Sequence, residues 1–158
     1  MWRLIWIFNK KELELLATAY QTFIGRIHVF DVLGDKSFKD TGIENWVKTE
    51  LIVALIDRGY EATTIETKKL GCDLFVKEEK LGLDVSVEIK TITHTSYYKE
   101  ILVKQGLQKY PNVDLFLFLA KVDSVVLKEL DDYFRQHGYI EEHRMLNDDW
   151  MTMLVKKS

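Results

Sequence analysis

The chain has 158 residues, is 47% apolar, contains one proline and one cysteine, and carries a formal net charge of −3. That is enough apolar material for a single packed domain spanning residues 1–158 and excludes a disordered or low-complexity chain. The acidic balance argues against a general polyanion binder, whose affinity for phosphate comes from Lys and Arg, and the lone Cys72 excludes an intrachain disulfide.

Trp2 to Phe8 is an apolar run of strand length, too short for a signal peptide or a membrane span, so a soluble cytoplasmic protein is expected. Asn9 and Glu12 have the spacing of a capping box. Leu13, Leu16, Tyr20, Phe23, Ile24 and Ile27 then recur at helical spacing, which predicts a helix over 10–27. Residues 28–42, with Gly34-Asp35-Lys36-Ser37 and Asp40-Thr41-Gly42, read as a turn-rich connection. Residues 1–42 thus form a strand-helix extension packed on the core, serving either as core or as a partner-binding or dimerisation face. A second capping box, Thr41 to Glu44, and a stop at Gly59 bracket a helix over 43–58. Glu50 stands in that helix beside its apolar stripe, where burial requires a cation or hydrogen bonds.

Strands are predicted at 60–66, 72–77 and 84–92, separated by turns at 68–71 and 78–83. A helix over 97–109 sets Gln105 and Gln108 among Lys99, Lys104 and Lys109, a face that either contacts a phosphate backbone or is simply solvated. Pro111-Asn112 ends it. Val113 to Val122 is almost wholly apolar, as in a strand covered on both faces. A helix over 124–138 follows, striped by Val125 or Val126, Leu127, Leu130, Tyr133 and Phe134. Strands at 139–145 and 150–155 close the chain through Asn147-Asp148-Asp149. This alternation predicts an α/β domain with a mixed central β-sheet flanked by helices.

The chemistry concentrates in Gly71-Cys72-Asp73 and in Val85-Ser86-Val87-Glu88-Ile89-Lys90. Side chains alternate across a strand with period two, so Ser86, Glu88 and Lys90 share one face while Val85, Val87 and Ile89 enter a core on the other. Two carboxylates at neighbouring strands make an oxygen site for a hard divalent ion, and an adjacent ammonium can position a water. The plainer alternative is a surface salt-bridge array on an interaction protein, worth under about 1 kcal/mol per pair.

In this order the residues resemble the PD-(D/E)XK nuclease superfamily, the restriction-endonuclease-like fold. Glu50 matches its helical acid, Asp73 its hairpin acid, and Glu88-Ile89-Lys90 its (D/E)-X-K triplet. The motif's proline is replaced by Cys72, and the match runs from about Thr41 to Ile92. The downstream Gln-x-x-x-Tyr signature of one branch is not reproduced, because Gln105 and Tyr110 are one residue too far apart. The resemblance implies a restriction-endonuclease-like core and Mg²⁺-dependent cleavage of phosphodiesters in DNA, with Mn²⁺ able to substitute. Asp73, Glu88, the Ile89 carbonyl and Glu50 would be metal ligands, and Lys90 would attend the attacking water. It further implies a homodimer, because one site cuts one strand. His94, Tyr97 and Tyr98 follow the triplet closely, either as substrate contacts or as ordinary packing residues. A non-catalytic nucleic-acid- or protein-binding module of the same fold is the alternative.

Overall fold

A computed structural model describes residues 8–29, 32, 40–63, 74–78, 83–92, 99–109 and 113–158. The expected strand at Trp2 to Phe8 lies outside them except for Phe8, which is buried. Helix α1, Lys10–Phe23, starts at the expected capping box. Asn9 Oδ1 accepts the Glu12 N–H at 2.8 Å and Glu12 Oε1 accepts the Asn9 N–H at 2.9 Å. At Ile24–Arg26 it tightens into a 3₁₀ turn, which rotates the later side chains off the α-helical stripe. The buried face of α1 is Glu12, Leu15, Leu16, Thr18, Ala19 and Phe23, whereas Leu13, Tyr20 and Ile27 flank it and Ile24 is 39% exposed.

Helix α2, Asp40–Asp57, begins ahead of the predicted start, so Thr41 lies inside its first turn and a boundary at residue 42 would cut the helix. It buries Val47, Leu51 and Leu55, one residue per turn. The end is a Schellman motif: Gly59 has φ +90°, its N–H bonds the Ile56 carbonyl, and the Tyr60 N–H bonds the Leu55 carbonyl. Buried Tyr60 supplies the apolar contact that accompanies such an end.

The sheet strands are β1 Glu61–Thr63, β2 Leu74–Glu78, β3 Leu83–Ile92, β4 Leu115–Lys121, β5 Tyr139–Met145 and β6 Trp150–Lys157, in the order β1-β2-β3-β4-β6-β5. Only β3 and β4 pair in parallel; every other neighbouring pair is antiparallel. A parallel pair needs a crossover, here α3, Lys99–Gln108, wound as a π-helix. Helix α4, Ser124–Gln136, connects β4 to β5. Its N-cap Asp123 accepts the Val126 N–H, and it buries Val126, Leu130 and Phe134 while Val125 stays exposed.

The molecule is thus a mixed sheet between two helical layers. Helices α1 and α2 cover the face carrying Val87, Ile89, Leu115, Leu117, Leu119 and Leu154. Helices α3 and α4 cover the face carrying Ile92, Phe116, Phe118, Met151, Met153 and Val155. No helix among the described residues is long and apolar enough to cross a membrane.

At Gly59 a Cβ would meet nothing within 4 Å, so substitution there carries only the backbone penalty of positive φ. Gly59→Ala is expected to lower unfolding stability in urea by about 1–2 kcal/mol. Gly25→Ala, equally free of contacts and without positive φ, is expected to raise it by about 0.5–1 kcal/mol.

Candidate functional site

Strand β3 places the candidate chemistry. Val87 and Ile89 are buried against the α1–α2 layer and Val85 packs beside them, as the alternation requires. Glu88 and Lys90 accordingly point to the opposite face, and Lys90 Nζ stands 3.1 Å from Glu88 Oε1. That face was expected to remain open for chemistry; it is covered instead. The Glu88 side chain is 2% exposed and that of Lys90 14%. The cause is topological: the crossover joining β3 to β4 lays Leu102, Val103 and Leu107 over this side of the sheet. Across the parallel ladder Glu88 is paired with Phe116 and Lys90 with Phe118, whose rings stack at 6.2 Å. The acid and the lysine therefore stand beside an apolar aromatic wall, where an uncompensated charge is costly.

Asp73 lies outside the described residues, as do His94, Tyr97 and Tyr98. It precedes Leu74 in the chain, Leu74 pairs with Val87, and Val87 precedes Glu88. Ile89 sends its side chain into the core. Glu50 stands on α2. It pairs with Arg26 at 3.0 Å, with both side chains substantially exposed, and lines a groove of about 330 Å³ between α1 and α2 with Gln21, Val53 and Asp57. Helix α2 packs on the sheet face opposite Glu88.

Asp114 is a neighbour that sequence reading overlooked. Its Oδ2 accepts both the Ser86 N–H, at 2.9 Å, and the Ser86 hydroxyl, at 3.1 Å, while its own N–H donates to Ser86 Oγ at 3.0 Å. This clamp closes the junction of β3 and β4 one step before Val87 and Leu115 pair. The available signal was a single acid at the head of an otherwise apolar run. Among the described residues, no group of three or more His, Cys, Asp or Glu side chains is arranged to hold a metal ion.

A second groove, of about 400 Å³, lies between α4 and β5 and is lined by Asp131, Phe134, Arg135, Tyr139, Glu141, Glu142 and His143. Burial, with Tyr133 beside it, pushes the Tyr139 phenol above its usual 10.0. The folded chain therefore holds this proton more tightly than the unfolded one. Its contribution is complete below pH 10.0 and falls as pH rises past that value. Alkaline denaturation of Tyr139→Phe is expected to show a shallower loss of stability above pH 10.0 than the unsubstituted chain.

Comparison with protein-family models, with curated proteins and with solved structures finds no match to this chain. The candidate site thus rests on its own geometry. Lys90→Met is expected to destabilise the fold by about 3–5 kcal/mol, because it takes an ammonium away from a buried carboxylate. Adding Glu88→Gln to that variant should restore most of the loss. Urea unfolding of the two single variants and the double variant, combined as a cycle, measures the coupling.

Proposed function

We propose that the chain is a metal-dependent endonuclease of the PD-(D/E)XK type, hydrolysing phosphodiester bonds in DNA. The observation that carries this reading is the Glu88–Lys90 pair, held at 3.1 Å on β3 with β2 beginning one residue after Asp73. The run α2, β1, β2, β3, α3, β4 supports it, since this is the order of elements that the resemblance implies for a restriction-endonuclease-like core.

Carboxylate and main-chain oxygens are a hard donor set that suits Mg²⁺, and Mn²⁺ in its place. Glu88 alone is already neutralised by Lys90, so a divalent ion needs a second carboxylate, which this reading assigns to Asp73. The Ile89 carbonyl is the further candidate ligand. When bound, the ion polarises the phosphoryl oxygen and lowers the pKa of a coordinated water. Lys90 orients that water and offsets charge developing on the phosphate, and the rigid β3 backbone keeps the two side chains two residues apart on one face. Glu50, engaged with Arg26 in the other layer, stands outside this set.

The acid excess does not oppose a DNA substrate. Residues 123–149 hold eight acidic and three basic side chains, on α4, β5 and the turn after it. In the strand order these elements lie beyond β4, toward the edge away from β1–β3. Paired cleavage of a duplex calls for two copies of the site, hence a homodimer.

The burial of Glu88, together with its neutralisation by Lys90, favours a second reading: a binding module of the same architecture in which the pair is structural. Incubating linear, single-stranded, supercoiled and branched DNA with Mg²⁺ or Mn²⁺ separates the two. Cleavage is expected to fall by roughly a hundredfold or more in Asp73→Ala and Glu88→Gln and to be unchanged in Glu50→Ala. No cutting by the unsubstituted chain, or equal cutting by it and by both site variants, ends the assignment in favour of the module.

A further inference from the structure

We infer that β5 is the contact between two copies of this chain, pairing antiparallel with itself about a two-fold axis at Glu142. The inference rests on the endonuclease reading for the need of a second copy, and adds to it the surface that the copies share. Strand β5 ends the sheet, and no strand among the described residues pairs with its outer side. It is seven residues long, whereas β1 at the opposite edge has three. An edge of that length presents a row of backbone donors and acceptors that a second strand can take up.

The ladder to β6 decides which groups those are. The Leu146 N–H bonds the Trp150 carbonyl at 2.8 Å and the Ser158 N–H bonds the Gly138 carbonyl at 2.9 Å, so the even-numbered residues of β5 make the bonds to β6. Hydrogen-bonded rows alternate along an antiparallel pair, and Tyr139, Glu141, His143 and Met145 therefore turn their N–H and C=O groups outward. With the axis at Glu142 these residues match one another completely: Tyr139 meets Met145 of the second copy, Glu141 meets His143 of the second copy, and the two-fold repeats both pairs. The side chains agree with that register. Met145, 40% exposed, is laid against a tyrosine ring. Glu141 Oε2, which is buried and has no hydrogen-bond partner among the described residues, is laid beside an imidazole that can donate to it. Moving the axis to Glu141 sets that acid against its own copy. Moving it to His143 sets the acid against Met145 and carries Tyr139 past the end of the strand.

Two features oppose the pairing and give it a sign that can be tested. Glu142 meets Glu142 of the second copy at the axis, and residues 123–149 carry eight acidic and three basic side chains. Removing the first repulsion or screening the second with salt must tighten the contact, whereas salt loosens a contact held by surface ion pairs. The test is sedimentation equilibrium of the full chain across concentration and salt, with amide hydrogen exchange read residue by residue. The expected result is a dimer in which the amides of Glu141 and His143 gain protection as it fills, while those of Ile140, Glu142 and Arg144 are protected in the monomer already. His143→Pro removes an outward N–H and none of the bonds to β6, so the monomer folds and the dissociation constant rises roughly tenfold or more. His143→Glu, which sets a like charge against Glu141, gives the same loss where the proline variant does not fold. Glu142→Gln tightens the dimer about two- to fivefold. A chain that stays monomeric, or a dimer that survives both His143 variants with unchanged exchange at Glu141 and His143, overturns the interface, and Mg²⁺-dependent cleavage by that chain leaves the endonuclease reading standing. A dimer that behaves as expected but cuts no DNA keeps the interface and ends the endonuclease reading.

Discussion

The constraint on which the rest of the structure depends is the covering of β3 on both faces. An inner strand whose next neighbour in the chain runs parallel to it must be followed by a crossover, and that crossover puts an apolar helix over the side where Glu88 and Lys90 project. The acid is then in a setting where an unpaired charge is untenable, and the lysine two residues away on the same face becomes its compensation. The opposite face fixes the position of both. A slip of one residue would carry Glu88 into the α1–α2 layer and push Val87 and Ile89 out of it, so the apolar alternation of β3 sets the location of the charge.

The same layer is held from the chain's two ends. Glu12, buried in the first turn of α1, accepts from Lys156 Nζ at 2.6 and 3.0 Å, and that ammonium also lies 5.0 Å from the Phe8 ring centre. Residues 144 positions apart in sequence are thereby joined at one point. Arg58 donates to Thr18 and Tyr60 to Glu14, which ties the end of α2 to α1. Helix α1, tied to β6 and to α2, is consequently an integral part of the core on this face of the sheet.

Elements governed by local chemistry were legible in the sequence. The Asn9–Glu12 box, the Gly59 stop, the doubly apolar β4 and the alternation of β3 each follow from backbone sterics, capping or period two. What escaped was set by neighbours distant in sequence. The expected stripe of α1 kept Leu16 and Phe23 in the core, but Leu15 and Ala19 joined them while Leu13 and Tyr20 moved to its flank and Ile24 to solvent, because which side meets the sheet is set by tertiary packing. The covering of Glu88 depends on where α3 lands, which no residue near Glu88 encodes. Asp114 joined the site region only because the parallel register sets it beside Ser86.

Glu50 and Glu88 illustrate why charge patterns in sequence must be weighed by burial. Both are glutamates near apolar residues, and both have a cation at about hydrogen-bonding distance, at 3.0 and 3.1 Å. Glu50 shares its Arg26 with solvent, where long side chains lose entropy on pairing and water screens the attraction, so the pair contributes under about 1 kcal/mol. Glu88 has no such screening. Removing the ammonium beside it alters a balance of several kcal/mol. An acid near apolar residues with a cation within reach therefore carries a large free-energy consequence at buried Glu88 and almost none at the part-exposed pair of Glu50.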